Sequence, residues 1–71
     1  MTSPFPWALG QMQHAPIGLR EAVARIAYLT PAAAATYAQA VKPSLLRTVA
    51  QWRCARPAEW LELLASMEAR A

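Results

Sequence analysis

The spacing of the prolines constrains the fold of this chain more than any other feature of its sequence. Beyond residue 10, prolines stand at positions 16, 31, 43 and 57, so successive intervals are 15, 12 and 14 residues. These intervals are close to the length of an average globular helix with its cap. Proline is tolerated at the first position of a helix but breaks a helix interior, because it has no backbone N–H to donate. The pattern therefore predicts short helices that each begin near a proline.

Capping residues and hydrophobic periodicity agree with helices that begin near the prolines. Thr30 precedes Pro31, and its hydroxyl can accept a hydrogen bond from the first turn of a helix. In segment 17–29 the apolar residues recur at intervals of three and four, while Glu21 and Arg25 are spaced for an (i, i+4) ion pair on the other side. Helices are predicted near 17–29, 31–41, 44–55 and 57–70, and segment 6–14 is a candidate for a fifth.

The segment 31–41 differs from the others because it contains six alanines. Alanine has the highest helix propensity and almost no side-chain volume, so neighbouring helices can approach its backbone closely. We therefore expect this helix to lie at the centre of the fold. The predicted fold class is all-α, a small bundle of four short helices, or five, joined by proline-marked turns. Residues 1–71 are interpreted as a single helical domain, with residues 1–7 as an extended N-terminal arm.

The residue inventory argues against catalysis. The chain has no Asp and no Asn, one His, one Cys and four Glu. A paired-acid site, a metal cluster or a nucleophile with its base would need an improbable geometry from so few groups. We interpret Cys54 as a small apolar residue and His14 as a loop residue. The chain is therefore predicted not to be an enzyme, with no catalytic, cofactor-binding or metal-binding residues and no cofactor.

Charge is distributed unevenly along the chain. Residues 1–56 contain six basic residues and one Glu, a balance of 6 − 1 = +5, whereas residues 57–71 contain one Arg and three Glu, a balance of 1 − 3 = −2. A small nucleic-acid-binding regulator that uses Arg47, Arg53 and Arg56 is therefore one alternative. The helical rotation between these residues argues against the nucleic-acid alternative. Arg53 and Arg56 lie near one side of their helix, while Arg47 points roughly opposite.

A protein-binding role is the favoured hypothesis, because the core that this chain can build alone is thin. A single core in a domain of this size contributes only about 3–5 kcal/mol of net stability, and one cysteine cannot form an intrachain disulfide. The chain is thus predicted to be a non-enzymatic interaction module, namely an accessory subunit, an assembly chaperone or a small inhibitor. Its partner would be another protein or a second copy of itself.

Five residues are predicted to bury apolar area against that partner. Two prolines hold the N-terminal segment extended and present Phe5 and Trp7 at low entropic cost. Trp60 and Leu63 are expected on the exposed edge of the last helix, with Met67 beside them. Surrounding arginines would set the orientation of the partner.

The sequence also predicts a cytoplasmic location without a transmembrane segment. It contains no run of about 18 or more strongly apolar residues, and its start lacks a basic region followed by an apolar one. A lone cysteine agrees with a reducing compartment.

Two short strings, Phe5-Pro6-Trp7 and Leu29-Thr30-Pro31, resemble strings found in small tail-assembly chaperones of phage-like particles. Together they cover six of the 71 residues.

Overall fold

A computed structural model describes residues 12–70 of the chain, and these residues are helical with short connections. A 3-10 turn at Met12–His14 is followed by α1 (Ile17–Ala27), α2 (Pro31–Ala38), α3 (Leu45–Ala55) and α4 (Pro57–Arg70). No strand occurs within residues 12–70, which confirms the all-α fold class for this part of the chain. The predicted arm over 1–7, and most of the candidate helix over 6–14, lie outside the described residues.

Local hydrogen bonds explain where the helices begin. The Thr30 hydroxyl accepts from the Ala33 N–H at 3.2 Å, and Pro31 follows as the first residue of α2, which confirms the predicted cap. Ser44 caps α3 in the same way, because its hydroxyl accepts from the Arg47 N–H at 3.1 Å. Each cap satisfies a backbone donor that has no partner within its helix. Each of these bonds joins residues only three apart, so both partners can be identified from a short stretch of sequence. The starts of these two helices therefore lie close to the predicted positions.

We predict that Thr30→Ala lowers the free energy of unfolding by about 1 kcal/mol, because the Ala33 N–H loses its side-chain acceptor. Thr36→Ala is the matched control in the same helix, since the Thr36 hydroxyl donates only to the Ala32 carbonyl at mid-helix. Alanine is the better helix former there, so stability should be unchanged or slightly raised. Urea unfolding followed by circular dichroism measures both variants. Equal losses in the two would contradict the capping role of Thr30.

The centre of the fold is α3, which packs against α1, α2 and α4. The prediction that the alanine-rich helix is central is therefore wrong. Its expected close approach does occur, because α2 and α3 make the most extensive contact, and Ala34 on α2 and Ala50 on α3 are both completely buried. Alanines give α2 little volume to enclose, so the bulk of the core comes from larger side chains on the other helices.

The larger side chains of the core come from α1, α3, α4 and the 3-10 turn, whereas α2 contributes the buried Ala34 and the partly buried Ala38. The completely or almost completely buried large residues of the core are Val23, Ile26, Val49 and Leu63. Trp52 of α3 and Trp60 of α4 meet edge to face, with ring centroids 5.7 Å apart and an interplanar angle of 78°. Such a pair contributes about 0.5–1.5 kcal/mol beyond the area that it buries. The α3–α4 junction is thus built around two tryptophans.

Candidate functional site

The structure places the predicted partner-binding residues in different environments. Trp60 and Leu63 are only 4% and 0% exposed, so the prediction that they form an exposed edge of the last helix is wrong in the described fold. Met67 is half-buried and packs against the core. Phe5 and Trp7 lie outside the described residues. The rotation of α4 about its axis explains the error, because positions 60, 63 and 67 share the face that meets the core.

The outward face of α4 instead carries Leu61, which is 64% exposed. It forms one wall of a pocket of about 290 Å³ between the start of α2, the end of α3 and the start of α4. We call this the Leu61 pocket, and its lining residues are Pro31, Arg53, Cys54, Pro57, Trp60 and Leu61. Pro31 and Pro57 are the first residues of their helices, so both contribute stiff backbone to the walls. The pocket therefore lies where three helix ends meet.

Arg53 holds this junction together from the inside. Its Nη1 donates to the Ile26 carbonyl at 2.7 Å and to the Leu29 carbonyl at 3.1 Å, so it satisfies acceptors at the end of α1. Its guanidinium carbon lies 5.6 Å from the centroid of the Trp60 ring, within the range of a cation–π contact. One side chain on α3 thus links the end of α1 to the start of α4. This arrangement fixes the wall of the Leu61 pocket.

The other two arginines of the nucleic-acid hypothesis do not join Arg53 in a shared basic surface. Arg56 forms an ion pair with Glu59, with 2.9 Å between Nη1 and Oε1, which offsets its charge. Arg47 is half-buried in the first turn of α3, on a different side of that helix. Arg53 Nη1 donates to two backbone carbonyls at the end of α1. The three side chains therefore serve different parts of the fold.

The chemistry of the Leu61 pocket favours an apolar guest. Five of its six lining residues are two prolines, a tryptophan, a leucine and the exposed Cys54, the sixth is Arg53, and none is a carboxylate or a histidine. Within residues 12–70 no three His, Cys, Asp or Glu side chains come together in a group that could hold a metal ion. An apolar side chain from a partner would lose contact with water here and gain contact with an aromatic ring.

A second depression, of about 260 Å³, lies between α1 and the start of α3. Gly18 and Leu45 face each other across it, and the ion pair between Glu21 and Arg25, at 3.1 Å, stands at its side. This ion pair was expected from the (i, i+4) spacing, and the structure confirms it. The depression is more open and more polar than the Leu61 pocket, so we do not assign it a guest.

The sequence signal for Leu61 was present but ambiguous. Leu61, Leu63 and Leu64 follow Trp60 closely, and at least one of these leucines must point away from the core because they span most of a helical turn. The sequence gives no local pattern that indicates the role of Arg53, because the carbonyls to which it donates lie 27 and 24 residues earlier in the chain.

The chain matches no protein-family model, no curated protein and no solved structure. None of the described helices combines the length and the apolar character that crossing a membrane requires. Any functional conclusion therefore depends on the surface itself.

Proposed function

We propose that this chain is a non-enzymatic protein-binding module, acting as an accessory subunit, an assembly chaperone or a small inhibitor. It binds by burying the apolar surface around the Leu61 pocket against a partner. The observation that carries the proposal is the position of Leu61, which is 64% exposed and lines a pocket together with Trp60 and two prolines. Burying a leucine side chain is worth about 1.5–3 kcal/mol, so this position alone could anchor a partner.

The exposed surface contains further large apolar side chains that support the same role. Tyr28 is 91% exposed and Ile17 73%, in a chain whose core already encloses Trp52 and Trp60. Single exposed apolar residues are ordinary, but several in a domain this small favour an interaction surface. Phe5 and Trp7 remain proposed members of this surface.

The arrangement of the whole chain is part of the proposal. We regard the four helices as a small bundle joined by proline-marked turns, a description supported by Pro31 and Pro57 at the first positions of α2 and α4.

The free thiol of Cys54 suits a reducing compartment, and on that ground we propose a cytoplasmic location.

Substitution of Leu61 tests the proposed function. Leu61→Lys places a charge beside the Leu61 pocket and should abolish capture of the partner when the tagged chain is purified from its own cells. Val41→Lys is the matched control, because it introduces the same charge at an exposed apolar position that lies in the turn before α3 and does not line the Leu61 pocket. A protein retained by the parent chain and by Val41→Lys, but absent with Leu61→Lys, is the expected result. Equal capture by both variants would contradict the proposal.

The nucleic-acid alternative predicts a different dependence on salt. Binding through Arg47, Arg53 and Arg56 would release counterions, so log affinity would fall steeply with log salt concentration. An apolar interface around Leu61 should be much less sensitive. We prefer protein binding because Arg53 and Arg56 already have partners within the fold.

A further inference from the structure

The outer face of α1 combines an apolar line with basic flanks. Ile17, Ala24 and Tyr28, the residue that follows the helix, are all exposed and are spaced by seven and four residues, so they lie along one side. This spacing is typical of a seam between two helices. The exposed residues beside this line are Arg20, Arg25 and Glu21. We call these six residues the α1 face, and its charge balance is 2 − 1 = +1.

The outer face of α4 has the same design with the opposite charge. Ala58, Leu61 and Ala65 are exposed and are spaced by three and four residues. Glu62 and Glu68 are exposed beside them. We call these five residues the α4 face, and its charge balance is 0 − 2 = −2. Small alanines on both sides of Leu61 leave room for a second helix to approach closely.

Arg53 connects the end of α1 with the start of α4 within one molecule. Arg53 donates to the Leu29 carbonyl at 3.1 Å and stacks at 5.6 Å on the Trp60 ring. Tyr28 precedes Leu29 in the chain and Leu61 follows Trp60, so each face includes a residue next to one of these two contacts. Because every copy carries both complementary faces, each copy of a two-fold pair can offer both halves of the contact.

We propose that a second copy of this chain is its binding partner, with the α1 face of each copy packed on the α4 face of the other. This inference rests on the proposed protein-binding function and names the partner. Opposite charges favour the α1–α4 pairing, whereas α1–α1 and α4–α4 pairings bring like charges together. The pairing covers Tyr28, Ile17 and Leu61, which are otherwise exposed to water.

Charge reversal tests this pairing by sedimentation equilibrium over a concentration series. The α1 swap is Arg20→Glu with Arg25→Glu, and the α4 swap is Glu62→Arg with Glu68→Arg. Each swap alone should weaken self-association about tenfold or more, because the paired faces then carry like charges. The chain with both swaps keeps the parent net charge of +3 and should associate again. Circular dichroism confirms that each variant is folded.

A matched control separates the pairing from a general effect of charge. Lys42→Glu with Arg47→Glu changes the net charge from +3 to 3 − 4 = −1, as the α1 swap does, but lies outside both faces. This control should associate like the parent chain. If repulsion from Glu21 reduces the helicity of the α1 swap, Arg20→Gln with Arg25→Gln replaces it, with a smaller expected weakening.

The inference is overturned if the parent chain is monomeric throughout the series, if a folded swap associates as well as the parent, or if the double swap fails to restore association. None of these results would touch the proposed function. That proposal depends on whether a partner, either a copy of this chain or another protein, is captured by the parent chain and lost with Leu61→Lys.

Discussion

Replacing Leu63 with alanine is expected to leave a large part of the protein unfolded at 25 °C. The Leu63 side chain is completely buried in the cluster that contains both Trp52 and Trp60. Truncating a buried leucine costs about 2–5 kcal/mol, because apolar contacts are lost and the cavity closes only partly. A core of this size provides about 3–5 kcal/mol in total. Urea unfolding should therefore show a much lower midpoint for Leu63→Ala, or no folded baseline.

Leu61→Ala provides the control for that experiment. It removes the same atoms from the same helix, two residues earlier, but the Leu61 side chain is 64% exposed. Surface truncations of this kind usually change the free energy of unfolding by no more than about 0.5 kcal/mol. A similar loss of stability in both variants would contradict the rotation of α4 described above. Since Leu61→Ala keeps the fold, any change in partner binding reports on the surface alone.

The features that could be predicted from the sequence depend on residues close together in the chain. The Thr30 cap joins residues three apart, and the ion pair between Glu21 and Arg25 joins residues four apart. A short sequence window contains both partners of each bond. For the same reason the prolines located the starts of α2 and α4 well, since the constraint that proline imposes acts on its own helix.

The features that could not be predicted depend on how the helices pack. Alanine content correctly indicated a close approach between helices, but it could not show that α3, rather than α2, lies at the centre. Likewise, the pattern of leucines in α4 allows more than one rotation, and contact with α3 decides that Leu63 is buried and Leu61 exposed. The candidate site was missed because it depends on this rotation.

Arg53→Met is expected to lower the free energy of unfolding by about 2–4 kcal/mol, if the two bonds from Nη1 are counted as one charged donor. The change retains an apolar stem but removes a charged donor from two backbone carbonyls, and such hydrogen bonds are worth about 1.5–3 kcal/mol. The cation–π contact with Trp60 adds about 0.5–1 kcal/mol. Arg53→Lys should recover only part of the loss, because an ammonium group can donate to a carbonyl but lacks the planar fork that also stacks on the ring.

Arg47→Met is the matched control for this prediction, since it removes the same charge from the first turn of the same helix. Its expected effect on the urea midpoint is small, within about 0.5 kcal/mol. Equal effects of Arg53→Met and Arg47→Met would show that the bonds at the end of α1 contribute nothing measurable. A larger effect at Arg53 would establish that this arginine is a structural link between α1, α3 and α4. Its charge would then be committed to the fold, leaving the apolar residues around Leu61 as the surface available to a partner.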